Sequence, residues 1–186
     1  MSDRPREQHR LGWLQRLPLA LALFSLNLVF AQSTPGQDLL KSVANDIYVV
    51  IEFLETHQRI ETSCAPVENL QGNPRAFSDW RIDRQPAIDT VMQIRKLYEA
   101  RAIKMGGERV RETFTVRQAN AEAAAEKASQ AFAQESTSRL AVACEVWSRE
   151  LTDPTSLLRS SVDRRIDALT ENKTTIIIAL NDNSNW

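Results

Sequence analysis

From residue 35 onward the apolar positions recur at helical rather than alternating spacing. Leu39, Leu40, Val43, Ala44, Ile47, Val50, Ile51 and Leu54 fall in one broad stripe at 100° per residue. They predict a first helix from Pro35 to about Ser63. Thr34 is a good N-cap, and Pro35 suits the first helical position because its missing N–H needs no partner there. Val49 and Phe53 lie off the stripe, so this helix is expected to be buried on more than one side. The β-branched run Val49-Val50-Ile51 speaks for a strand, but the longer 3.6 period outweighs it.

Residues 64–85 lose this pattern. Pro66, Gly72, Pro74 and Pro86 punctuate them, and Asn73-Pro74 signals a turn. A second helix is predicted from about Pro86, or from a point before it, to Met105, with Ile88, Val91, Met92, Ile94, Tyr98, Ala102 and Met105 on one face and Gly106-Gly107 as its stop. From Glu108 to Thr152 a single register persists through Phe114, Ala121, Ala125, Ala128, Phe132, Leu140, Ala143, Cys144, Trp147 and Leu151. Spacings of seven, four and three resemble a coiled-coil seam. Unbroken, this third helix would be roughly 65 Å long; the polar run Gln134–Thr137 is where it could break. A fourth helix is predicted to open with Asp153 as N-cap and Pro154 in the first position. It puts Leu158, Val162, Ile166, Leu169, Ile176 and Leu180 on one face. Thr174–Ile178 is β-branched enough for a strand, but no second strand candidate exists to pair with it. The expected fold is all-α: an up-down-up-down four-helix bundle with one long third helix and a long connection between helices 1 and 2.

The N-terminus changes this picture. Arg4, Arg6, Arg10 and Arg16 precede an apolar stretch from Leu17 to Phe30 that ends in Val29-Phe30-Ala31. This is the plan of a secretory signal peptide, cleaved after Ala31 to leave residues 32–186 as a single helical domain. The apolar run is about 14 residues, short of the roughly 20 that span a bilayer, so no permanent membrane anchor is expected. Gln32, not a cysteine, follows the cut, which excludes a lipoprotein reading. No twin-arginine pair precedes the run, which favours the general secretion route.

Cysteine use agrees with export. Cys64 and Cys144 are the two cysteines, an even number suited to one disulfide in an oxidising compartment. In the expected topology both fall towards the same pole. The expected localisation is periplasmic or secreted.

Charge and missing motifs narrow the function. Four of the 23 basic and two of the 24 acidic side chains lie in the first 31 residues, leaving 19 and 22 and a net charge of −3. No basic excess is available to grip nucleic acid. No phosphate-binding glycine loop, HExxH, GxSxG or CxxCH is present. After residue 31 the one histidine is His57, at the edge of an apolar face, and it reads as a boundary residue. Met92 or Met105 would be its candidate partners in a metal or haem site, but no cofactor or metal is expected. Asn172-Lys173-Thr174 matches a glycosylation acceptor.

The segment Asn73–Arg84 mixes Phe77 and Trp80 with Arg75, Arg81 and Arg84. Trp and Arg are the residues that anchor protein interfaces. Trp80, Arg81 and Arg84 are therefore the expected partner-binding residues. The competing reading is that Phe77, Trp80 and Ile82 cap the end of the core. Together these observations point to an exported, non-enzymatic helical protein that binds a protein partner in the cell envelope. The alternatives are a small-ligand or cofactor bundle, or an enzyme using a carboxylate pair.

Overall fold

A computed structural model describes residues 34–67 and 70–186; the signal-peptide and cleavage reading lies outside them. Every regular element among the described residues is helical. Helix α1 spans Pro35–Cys64, and its start is the expected one. Thr34 Oγ1 accepts from Gln37 N at 3.2 Å, and Gln37 Oε1 accepts from Thr34 N at 3.0 Å, a reciprocal capping box. Phe53 is buried along with the main stripe, so α1 is covered on more than one side.

Helix α2 spans Ala76–Ala133 and is interrupted at Gly107, which has φ 67° and ψ −152°. Its start corrects the expected long connection, which is shortened to residues 65–75. Pro86 does not open this helix but lies inside it. Two features override the proline. Ala76, Phe77, Trp80, Ile88, Val91 and Ile94 bury on one continuous face. In addition, Glu61, one turn before the end of α1, reaches across to the new N-terminus. Its carboxylate accepts from Ser78 N at 3.0 Å and from the Ser78 hydroxyl. An N-terminal amide is thus satisfied by a neighbouring helix rather than by a local cap, which a local reading of sequence does not show.

At Gly107 the chain reverses. Arg95 Nη2 donates to Gln118 Oε1 at 3.1 Å, and the Tyr98 and Phe114 rings meet at 6.0 Å, so residues 76–106 and 108–133 form the two arms of a helical hairpin. The second arm climbs beside α1 in step with it. Tyr48 meets Phe114, Arg59 pairs with Glu126, and Ser63 bonds Ser129 at 3.1 Å.

The expected single helix over 108–152 is corrected. The chain turns at residues 134–136, and α3, Thr137–Thr152, folds back. The physical reason follows from where α1 stops. Its end lies beside Ser129, so a straight continuation would project the next 23 residues, roughly 34 Å, beyond the bundle. Trp147 and Leu151 would then sit in water. Folding back leaves Cys144, Trp147 and Leu151 no more than 4 % exposed.

Helix α4, Leu157–Glu171, starts three residues later than expected. Ser156 is its N-cap, and Asp153 instead holds a tight turn by accepting from Thr155 N at 2.8 Å. Helix α5, Lys173–Asn181, takes the β-branched run as helix, and a 3-10 turn at Asn183–Asn185 follows. The three helices run in one sense along α1: Trp147 meets His57, Arg165 meets Asp46, and Asn185 meets Thr34. The main core lies between α1, the first arm of α2, and α3–α5.

Candidate functional site

The segment expected to form an exposed binding loop is instead the opening three turns of α2. Trp80 is 2 % exposed, packed edge-on against Phe53 at 5.1 Å and beside Phe77 at 5.8 Å. Its Nε1 donates to Asp163 Oδ1 at 3.1 Å. Arg84 is also turned inward, with Nε 3.3 Å from Asp163 Oδ1 and Nη2 paired to Asp167. Asp163 receives Arg159 as well, Nε to Oδ2 at 3.2 Å. One carboxylate of α4 therefore gathers Trp80, Arg84 and Arg159 and locks α4 to the first arm. Of the three expected contact residues only Arg81 is exposed, with Nη1 donating to Gln58 Oε1 at 3.2 Å. A buried Trp80 and a paired Arg84 offer a partner little surface. Core capping describes Phe77 and Trp80, whereas Ile82, 64 % exposed, belongs to the outside.

The interior beneath this segment carries the other buried polar groups. His57 sits among Phe53, Phe77 and Trp147, and its Nδ1 accepts from Trp147 Nε1 at 2.9 Å. The neutral imidazole thus carries its proton on Nε2. Burial holds its pKa down to about 4. The ring is a buried link between α1 and α3, a turn or two from the Cys64–Cys144 pair, whose Cα atoms are 5.7 Å apart at disulfide distance. Met105, named as a possible partner for His57, lies at the Gly106–Gly107 turn and is 47 % exposed. No group of three or more His, Cys, Asp or Glu side chains among the described residues is placed to hold a metal.

Sequence reading missed Glu61, Ser148 and Asp163. Ser148 both accepts from Asn73 N and donates to Asn73 O, each at 2.9 Å, and so pins the connection onto α3. A signal existed for Glu61, since His57, Glu61 and Cys64 follow helical spacing on the buried face. Ser148 and Asp163 had only their neighbours Trp147 and Val162 to mark them.

The most open long surface is the second arm of α2. Between Glu108 and Ala133 only Ala121 and Ala125 are buried. Phe114, Gln118, Ala128, Ser129 and Phe132 are half-buried, facing α1 and the first arm. The opposite side is centred on Val116, Ala119 and Ala123, and Val116 is 57 % exposed. On a helical projection Arg109, Glu112, Lys127 and Gln130 share that strip's arc and close it at its two ends along the helix.

The chain matches no protein-family model, no curated protein and no solved structure.

Proposed function

We propose that this chain is an exported, periplasmic, non-enzymatic protein that binds a protein partner of the cell envelope through the outer side of the second arm of α2. The observation that carries the reading is the arm's lopsided burial. A helix of 26 residues rests on the bundle along one narrow stripe, so packing alone asks little of its far side. That side presents Val116, Ala119 and Ala123 within two turns, and small side chains let another helix approach closely. The charged border, of both signs, suits a polar rim around such a contact. Export is supported by the N-terminal pattern and by the disulfide, which fits an oxidising compartment.

The experiment compares capture from an envelope fraction by the unaltered protein and by a Val116→Asp, Ala123→Arg double variant. Both substitutions fall on exposed positions, so the fold is expected to survive. The variant should lose the captured partner, while an Arg81→Ala variant keeps it. Equal capture by the double variant would remove this surface from consideration.

A further inference from the structure

Next to the Gly106–Gly107 turn, a cleft of about 330 Å³ opens between the two arms of α2. Its walls include Tyr98 and Met105 from the first arm, Val110, Phe114 and Arg117 from the second, and Trp186. The rings brace one another: Tyr98 meets Phe114 edge-on at 6.0 Å and Trp186 at 5.8 Å. The lining is aromatic and aliphatic, with Arg117 as its one charged side chain.

Arg117 is committed to no carboxylate. It lies over the Tyr48 ring at 5.2 Å, and among the described residues no carboxylate comes within ion-pair distance of it. The acid nearest in role, Glu99, is already engaged: it pairs with Arg95 at 2.7 Å and accepts from the Tyr48 hydroxyl at 3.1 Å. Tyr98 supplies a second free donor, since its hydroxyl makes no hydrogen bond to another described residue. Burial raises its pKa, Arg117 acts to lower it and Glu99 to raise it further, and the Tyr98 and Arg117 side chains line the same cleft. Arg101, bonded to Asn183, adds positive charge at the same end.

We infer that this cleft binds a small monocarboxylate with an aromatic or short alkyl body, its carboxylate received by Arg117 and the Tyr98 hydroxyl and its body lying against Phe114 and Trp186. The volume is at the small end of ligand sites. A cationic ligand would meet Arg117 as a like charge. A neutral one would forgo the charge-assisted hydrogen bond. The site is separate from the outer side of the arm and does not depend on the partner-binding reading.

Isothermal titration of the full chain with 4-phenylbutyrate, its primary amide and 4-phenylbutylamine tests this. The acid should bind at one equivalent, the amide about ten-fold more weakly, and the ammonium not at all. Arg117→Gln should bring the acid to the level of the amide. Thr113→Trp, at an exposed rim position, should close the cleft and abolish binding, with melting temperatures unchanged in both variants. Equal affinity for acid and amide, undiminished binding of the acid by Arg117→Gln, or no binding of the acid at millimolar concentration would each overturn the inference. Should Thr113→Trp fail to fold, the Arg117→Gln comparison decides alone.

Discussion

Arg81 and Arg84 lie three residues apart in one arginine-rich run, yet the fold gives them opposite roles. Arg84 closes a half-buried junction on Asp163 and Asp167, so Arg84→Ala is expected to lower stability by about 1 kcal/mol in chemical denaturation. Arg81→Ala should stay within about 0.5 kcal/mol. The difference was not legible in sequence, because it depends on α4, some 80 positions away. His57 was legible as a boundary residue but not as a deep one. Its partner, Trp147, lies 90 positions on. Protonating His57 would set an N–H on Nδ1 against the Trp147 N–H, exchanging a hydrogen bond for two opposed donors. The folded pKa, about 4, lies below the ordinary 6.5. Between those values the unfolded chain therefore binds more protons, and stability rises with pH. The contribution is full above about pH 6.5 and is lost as pH falls towards 4, a change of about 3 kcal/mol. Denaturation midpoints of the native protein and of His57→Phe at pH 7.5, 5.5 and 4.5 would check this. The native protein should show the extra loss on acidification and the variant should not.

At the scale of elements, the apolar period located nearly every helix but not the places where they turn. The reading of Gly106-Gly107 as a stop identified the hairpin, and the two glycines serve it differently. Gly107 adopts a backbone conformation that residues with a Cβ rarely tolerate. Gly107→Ala is expected to cost about 1–3 kcal/mol, readable as a lowered melting temperature. At Gly106 the cost is steric instead: an added Cβ would crowd both Cγ2 and Cβ of Val110, a β-branched side chain that a helix holds to one rotamer. The start of α2 has a physical explanation. Pro86 looked like a helix start because proline is favoured there, but Glu61 supplies a better start ten residues earlier from outside the local sequence. The 108–152 run breaks at 134–136, inside the polar stretch that marks a possible break, although Phe132 and Leu140 keep one broad apolar stripe across it. Periodicity reports which side of a helix is apolar and is silent on whether that side has anything to cover it. A straight third helix parallel to α1 would bring Cys64 and Cys144 to one pole. The bond instead joins α1 to a helix that returns antiparallel to it.

For the whole molecule, the disulfide holds the α3–α5 rod to the end of α1 and spans 80 positions. Closing a loop of that length stabilises by about 4–5 kcal/mol in the chain-entropy account, so reduction should lower the melting temperature markedly. Free-thiol titration of unfolded, unreduced protein should find none. The candidate site was only partly legible at this scale. Sequence marked residues 73–85 because tryptophan and arginine are concentrated there, but the fold draws two of the three chosen side chains into its own joints. What remains outward is the far side of residues 108–133: the seam alanines Ala121 and Ala125 are buried and Ala128 half-buried against the bundle, whereas Ala119 and Ala123 lie outside that seam and face outward. The claim that this side meets a protein partner can be tested by placing a photo-crosslinking residue at Val116, Ala123 or, as a control on the exposed side of α4, Arg164, and irradiating cells that produce each variant. The account predicts one discrete adduct of the same mass from positions 116 and 123 and none from 164. No adduct from 116 and 123, or the same adduct from all three positions, would contradict it.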